Sequence, residues 1–325
     1  MSHAIRVHEH GGPEQLRWES VDVGRPARGQ IRMRHTAIGV NYLDVYHRTG
    51  LYPEALPLIP GVEAVGVVED VGPGVVDLGV GDRIAYVGGP LGAYSEARLL
   101  PADRALRLPR QIADETAAAM MLRGMTAYVL LRRVYPLRSG ETIVVHAAAG
   151  GTGLFVCQWA TSLGAKVIGV VSNDEKAAVA RQHGCRHVII SSRENIAAQV
   201  AAMTDGQRVP VVFDSVGRDT FAASLDSLAR GGLLVSFGQS SGPVPPVDVR
   251  LLAQKGSLAL TRPSLFHFIA ERRELVEAAD ELFRVVAAGA LKVVVNQRYP
   301  LREAAQAHRD LESRRTTGSS LLLVE

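Results

Sequence analysis

The run His146-Ala147-Ala148-Ala149-Gly150-Gly151-Thr152-Gly153-Leu154 constrains this 325-residue chain more than any other segment. It follows an apolar run at 142–145 and opens a helix-length segment at 154–163. A small-residue turn between a strand and a helix is the context a dinucleotide-phosphate loop requires. Small side chains let the backbone approach a pyrophosphate, and the helix start supplies unpaired N–H groups and partial positive charge. The spelling is A-x-x-G-x-x-G, on Ala147, Gly150 and Gly153, and a bare βα turn has the same spelling. The surroundings favour the phosphate loop. Apolar runs at 166–171, 187–190, 211–214 and 233–237 alternate with helix-length segments at 175–183, 196–203 and 220–228. Such alternation implies right-handed crossovers and a doubly wound parallel α/β sheet of Rossmann type. The strands are nearly all apolar, as strands covered on both faces are. Gly164, Gly184 and the pair Gly231-Gly232 stand where helices are expected to end.

Residues 142–165 contain no Asp, Glu, Lys or Arg, a length that raises the question of a membrane span. His146, Gln158 and the glycines argue instead for strand, loop and helix. The first third of the chain reads differently. Candidate strands at 31–36, 61–68 and 80–86 are separated by Gly and Pro at short intervals, as in a barrel-like all-β unit. A helix starts near Asp114. The last sixty residues offer an amphipathic helix around 268–288, a shorter one at 302–311, and a closing turn and strand at 318–324.

Composition excludes several functions. The chain is 47% hydrophobic and 21% charged, too apolar for a disordered protein. Lys and Arg total 36 against 33 acids, a net charge of +3, and only Lys166, Lys176, Lys255 and Lys292 are lysines. The arginines are interspersed with acids and no aromatic-basic pattern occurs, so nucleic acid is not an expected partner. Two cysteines, Cys157 and Cys185, match neither a disulfide framework nor a zinc spacing, and suit a reducing cytoplasm. The first residues show no apolar signal core.

The end of the second strand decides which dinucleotide is bound. A carboxylate there accepts from a ribose 2′-OH; a 2′-phosphate needs hydroxyl, amide and cationic donors. Ser172, Asn173 and Lys176 supply all three, which points to NADPH. Asp174 is the discordant residue. Ser172-x-x-Glu175 also spells a capping box for the next helix.

The quoted segments, together with others, resemble one family. These are 10–14 (His-Gly-Gly-Pro-Glu), 39–46, 50–53, Gly61-x-Glu63-Ala64-x-Gly66, 81–84, 91–94, 214–220, 237–242, 261–265, 311–314 and 318–320. Nearly the whole chain is similar to the zinc-free NADPH:quinone oxidoreductases of the medium-chain dehydrogenase/reductases, including bacterial quinone reductase and zeta-crystallin. The resemblance implies a GroES-like β-barrel-type domain at 1–124 and 265–325, a Rossmann domain at 125–264, and NADPH in the cleft between them. It puts Asn41, Tyr42, Asp44 and Val45 at the nicotinamide end and Tyr128 on the cleft wall. Gly150, Gly151, Thr152 and Gly153 fall on the pyrophosphate, and Ser172, Asn173 and Lys176 on the 2′-phosphate. Ser215, Phe237, Gly238, Gln239, Ser240, Pro263, Ser264, Leu265 and Arg314 complete the site. Ser191 stands where relatives often have a tyrosine near the adenosine phosphate.

In the zinc-binding branch of that superfamily a cysteine and a His-Glu pair hold catalytic zinc. The matching residues here are Asn41, Val62 and Glu63, which lack the thiolate and the imidazole, so no metal is expected and Glu63 is left to packing or hydrogen bonding. The implied reaction is reduction of a small-molecule quinone, with Asn41, Tyr46 and Tyr52 as candidate catalytic residues. Rivals are an enone or 2-alkenal reductase on the same fold, and a non-catalytic NADPH- or RNA-binding relative of zeta-crystallin. A homodimer is expected through edges of the Rossmann sheet; the apolar stretch 244–260, with Leu251, Leu252 and Leu258, suits an interface and equally suits core.

Overall fold

The computed structural model describes residues 2–313 and 316–324. Its strands are β1 (Ser2–Arg6), β2 (Arg17–Val21), β3 (Gln30–Val40), β4 (Glu63–Val71), β5 (Arg83–Val87), β6 (Ala97–Pro101), β7 (Leu106–Arg107), β8 (Thr142–His146), β9 (Lys166–Val171), β10 (Cys185–Ile190), β11 (Val209–Asp214), β12 (Leu228–Ser236), β13 (Ala259–Thr261), β14 (Val295–Pro300) and β15 (Ser319–Leu323). Its helices are α1 (Tyr42–Thr49), α2 (Asp114–Tyr128), α3 (Gly151–Ser162), α4 (Asp174–Gln182), α5 (Ile196–Met203), α6 (Phe221–Asp226), α7 (Val249–Gln254), α8 (Leu265–Phe268), α9 (Arg272–Ala287) and α10 (Ala304–Glu312). The chain divides into two units. Unit 1 comprises Met1–Met125, Ile269–Ala287 and Val293–Glu325; unit 2 comprises Thr126–Phe268 and Ala288–Lys292.

Unit 2 is built on a parallel sheet of order β10-β9-β8-β11-β12-β13. Chain direction across the sheet reverses between β8 and β11, the topological switch point at which open α/β sheets bind ligands. Val144, Ile168, Ile189, Val212 and Leu234 fill the interior and are fully buried. The charge-free stretch resolves into β8, a loop and α3, and among the described residues no helix is long and apolar enough to cross a membrane. Cys157 and Cys185 are buried free thiols whose sulfurs lie 3.4 Å apart.

Unit 1 carries a mainly antiparallel sheet of order β14-β15-β3-β4-β5-β7, with β6 also on β3, and the β1–β2 hairpin. Its core includes Ile31, Met33, Ile38, Tyr86, Tyr94 and Leu322. The C-terminal β15 pairs with β3, Ser320 opposite Val40 and Leu322 opposite Ile38, so the last strand joins a sheet whose other strands include β3 to β7 from the first third of the chain.

Two expectations, for Gly231-Gly232 and for Ser172, need correction, and two others are refined. Gly231 and Gly232 do not end a helix. They lie inside β12, where Gly231 has φ 72° and the pairing with β11 jumps from Val209–Leu228 to Val211–Leu233. That is a glycine bulge, whose extra residues a positive φ accommodates. The helix expected around 268–288 is present as α9, Arg272–Ala287, and a short α8 precedes it where the chain passes from unit 2 to unit 1. The capping box at Ser172 is absent: α4 starts one residue later, and the extended Asn173 is its cap, Oδ1 accepting from Lys176 N–H at 2.9 Å. Of the two readings of the stretch 244–260, core applies to its leucines: Leu258 belongs to the unit 2 core with Leu251 and Leu252 packed against it, while Val249 is exposed.

Candidate functional site

The phosphate-loop candidate begins where β8 ends. Ala147 takes the left-handed conformation, φ 49°, and Gly150 N–H closes the turn onto Ala147 O at 2.8 Å. A Cβ on Gly153 would stand 2.2 Å from Ala147 O, so only glycine fits there. At Gly150 the nearest atom to such a Cβ is the same oxygen, at 3.1 Å. Gly150 is the N-cap of α3 and offers no side-chain cap, which leaves the first turn of a twelve-residue helix to be satisfied from outside. The glycines leave the backbone of this turn uncovered by side chains at the start of α3, which suits close approach of a pyrophosphate.

The other candidates of unit 2 gather at the same carboxyl edge of the sheet. Ser172 and Asn173 follow β9 and are exposed; Lys176 lies in the first turn of α4. Ser191 follows β10, and its hydroxyl donates to Val171 O at 3.1 Å. Asp174, the first residue of α4, is gripped by both terminal nitrogens of Arg193, at 2.8 and 2.7 Å. That pairing holds its carboxyl below the usual range. The loops after β11 and β12 are laced together: Phe237 N–H donates to Asp214 O (2.8 Å), Ser240 N–H to Ser215 O (3.2 Å) and Ser241 N–H to Val216 O (2.9 Å). Arg262, after β13, donates to Ser236 O and Gly238 O at 3.0 and 2.8 Å. Ser215, Phe237, Gly238, Gln239 and Ser240 are thereby grouped, with Pro263, Ser264 and Leu265 directly after Arg262. Tyr128 is buried, 6.1 Å from the Trp159 ring. Arg314 lies outside the described residues.

Beneath these loops Asp214 is an internal cap. It accepts from Val216 N–H, Gly217 N–H, Thr220 Oγ1 and Ser224 Oγ. Ser224 Oγ also meets His146 Nε2 at 3.0 Å, and burial keeps that imidazole neutral. The trio has the residue types of a hydrolase triad in the wrong order. The hydroxyl donates straight to the carboxylate, so the imidazole takes no proton from it, and all three side chains are buried. Its task is to shape the turn that presents Ser215.

Unit 1 contributes a buried polar cluster at the start of α1. Asn41 caps α1, its N–H donating to Asp44 Oδ2 at 2.8 Å. Its Nδ2 donates to Glu63 Oε1 at 2.6 Å, while Leu122 N–H donates to Glu63 Oε2 at 2.6 Å. Glu63 thus fixes the Asn41 amide. Asp44 also accepts from Tyr94 Oη (3.0 Å), which meets His308 Nε2 (3.0 Å); His308 Nδ1 accepts from Arg48, itself bound to both Glu312 oxygens. Burial, with Arg48 adding to it, holds His308 down at about 3, so the ring is neutral and its protonated Nε2 faces Tyr94. Asp44 is fully buried and Val45 nearly so; Asp44 bears on the site through Asn41, not by offering its carboxylate to a ligand. On and after α1 the rings of Tyr42, Tyr46 and Tyr52 form a chain, with centroids 5.7 and 5.2 Å apart. Among the described residues no group of three His, Cys, Asp or Glu side chains is placed to hold a metal.

Sequence reading missed Arg193, Arg262 and the Asp214 cap. Arg193 looks like a surface arginine until the fold sets it beside Asp174, and Arg262 lay in the quoted 261–265 motif without a role assigned to it. Asp214 did lie in a quoted motif, and its carboxylate partners are close in sequence, in the loop after β11 and in α6.

A sheet unit completed by its own C-terminal strand, joined in one chain to a dinucleotide-type parallel unit, defines a medium-chain dehydrogenase/reductase. Family models agree: "Alcohol dehydrogenase GroES-like domain" matches residues 27–110 and "Zinc-binding dehydrogenase" residues 151–284. A quinone oxidoreductase of Pseudomonas aeruginosa is 50% identical over 99% of this chain and 100% of its own. A 2-haloacrylate reductase of a Burkholderia species is 45% identical, covering 98% of each chain. The solved structure of Escherichia coli quinone oxidoreductase complexed with NADPH superposes with a TM-score of 0.97, at 48% identity, over 99% of this chain and 100% of that one. The chain belongs to the quinone oxidoreductase family.

Proposed function

We propose that this chain is an NADPH:quinone oxidoreductase that works without a metal. The observation that carries the reading is its near-complete match, in sequence and in fold, to a quinone oxidoreductase solved with NADPH. Bound NADPH supplies the hydride for a quinone acceptor. Gly150, Gly151, Thr152 and Gly153 bind the pyrophosphate with backbone N–H groups. Ser172, Lys176 and the amide of Asn173 meet the 2′-phosphate, with Ser191 beside them. Ser215, the 237–240 loop, the 263–265 segment and Tyr128 line the path toward the nicotinamide. Asn41, held by Glu63, orients that ring and the acceptor oxygen, flanked by Tyr42 and Val45. Tyr46 and Tyr52 present aromatic faces to a quinone ring, and their Oη atoms are the proton donors of this reading. Metal independence rests on the donor set. Asn41 and Val62 stand where a thiolate and an imidazole would be needed, and both Glu63 oxygens are taken by N–H donors.

Steady-state oxidation of NADPH and NADH with 1,4-benzoquinone, with and without a chelator, tests this. We expect turnover with NADPH at least tenfold more efficient than with NADH, unaffected by chelation. Equal use of NADH, or no turnover with any quinone, overturns the reading. A 2-haloacrylate acceptor belongs in the same panel, because the 45%-identical relative carries that name; a clear preference for it makes the chain an activated-alkene reductase. The same proposal places the protein in the cytoplasm, with its two cysteines as free thiols. It also makes the protein a homodimer through the sheet edge at β13, where β12 is the strand paired to it. Light scattering on the purified chain checks the dimer.

A further inference from the structure

Asp174 lies just past the strand end at which a dinucleotide-binding unit tells a ribose 2′-OH from a 2′-phosphate, and a bare carboxylate in that loop favours the wrong cofactor for the function proposed above. A free Asp174 would accept from a ribose hydroxyl and repel a phosphate. It is not free. Arg193 covers both of its oxygens in a fork-on-fork pair, Nη1 on Oδ2 at 2.8 Å and Nη2 on Oδ1 at 2.7 Å. The two residues come from different elements. Asp174 opens α4 after β9, and Arg193 lies in the turn after β10. That turn is fixed: Ser191 N–H donates to Val171 O (2.8 Å), Arg193 N–H to Ile190 O (3.1 Å), and Ile190 N–H to the Glu194 carboxylate (2.6 Å). The β9–β10 register, Ile190 opposite Val171, sets the turn beside Ser172 and Asn173.

We propose that Arg193 is a specificity-determining residue for the dinucleotide, acting through Asp174 by occupying and neutralising its carboxylate so that a 2′-phosphate is accepted. This rests on the reading that the adenosine end of the cofactor sits at the carboxyl end of β9. It explains how a chain with an acid at this position belongs among NADPH users. It also separates two kinds of cation: Lys176 meets the phosphate, whereas Arg193 removes an obstacle to it. Both members of the pair are well exposed, so the pair adds little to stability, and its effect is on the field met by an incoming dianion. A carboxylate and a phosphate of about two charges within one Debye length, in a water-rich setting, change affinity about tenfold.

The test is equilibrium titration of NADPH, NADH and 2′,5′-ADP, followed by nucleotide fluorescence or calorimetry, with the wild type, Arg193→Gln, Asp174→Asn, the double variant and Lys176→Ala. We expect Arg193→Gln to weaken NADPH and 2′,5′-ADP about tenfold and leave NADH within about twofold. Asp174→Asn keeps NADPH at wild-type affinity or tighter. The double variant recovers NADPH binding to within about threefold of wild type, because the uncompensated carboxylate is gone. An unchanged NADPH-to-NADH ratio in Arg193→Gln overturns the proposal. So does a double variant as weak as Arg193→Gln, which makes Arg193 a direct phosphate ligand. The underlying site fails separately, if wild type binds NADH as tightly as NADPH or Lys176→Ala leaves 2′,5′-ADP binding unchanged.

Discussion

Two carboxylates, Asp44 and Glu63, share the interior of unit 1 with the Arg123 guanidinium, and burial pushes both carboxyls up. Asp44 rises to about 7. Its Oδ2 keeps the bonds from Asn41 N–H and Tyr94 Oη, while Oδ1 is buried without a partner, so a proton there removes the charge and breaks nothing. Between about pH 4 and pH 7 the folded chain holds this proton and the unfolded chain releases it. The Asp44 contribution is therefore complete below the ordinary carboxylate range and is lost as pH rises through 7, a change on the order of 2–4 kcal/mol. Arg123 works against the shift, and neutral His308 contributes the opposite slope, because the unfolded imidazole takes a proton near 6.5 that the folded one refuses. The difference between wild type and Asp44→Asn isolates the term. The wild-type Tm should fall relative to the variant's as pH is raised from 5 to 8 in differential scanning calorimetry; parallel curves would show that Asp44 is ionised throughout.

At the scale of elements, the β8-to-α3 junction separates two roles of glycine. Gly153→Ala forces a Cβ to 2.2 Å from Ala147 O, so the turn must open, with a loss of stability of about 2 kcal/mol or more and of cofactor affinity. Gly150→Ala meets that oxygen at 3.1 Å on an extended backbone, φ −79°, so the fold should tolerate it within about 1 kcal/mol. NADPH binding should nevertheless fall at least tenfold, because the methyl occupies the phosphate's approach. Thermal unfolding and NADPH titration of both variants check the contrast; equal damage to folding from both would remove it. The strands of unit 2 were legible where both faces are buried and the sequence is apolar: β9 and α5 fall at the expected residues, whereas β10 and β12 begin earlier, in their polar and glycine-bearing segments, and β13 was not foreseen. The α4 cap was misplaced by one residue, since Ser172 and Asn173 are both good caps and only backbone geometry chooses between them. The Gly231-Gly232 bulge was illegible for a similar reason: glycine with positive φ serves a helix end and a strand bulge equally well.

For the whole molecule, the discontinuity of unit 1 has a consequence for folding. β15 lies between β14 and β3 and buries Leu321 and Leu322 completely. Ending the chain after residue 317 removes both leucines, at about 2 kcal/mol each, and leaves two strands with unpaired edges. We expect such a chain to be largely insoluble, or to lose the cooperative transition of unit 1 in circular dichroism; a soluble chain that melts like the full-length protein would refute this. The sequence by itself determined what depends on neighbours along the chain: the apolar rhythm of the parallel strands, the glycine turn between β8 and α3, and the lack of a thiolate and an imidazole at Asn41 and Val62. Tertiary structure decided what depends on residues far apart. Glu63 fixes Asn41 across 22 positions, His308 reaches Tyr94 across 214, and Arg193 covers Asp174 across 19. A charge far from its partner in sequence carries no local sign of it, because the field at a site is set by distances in space that only the packed sheets create.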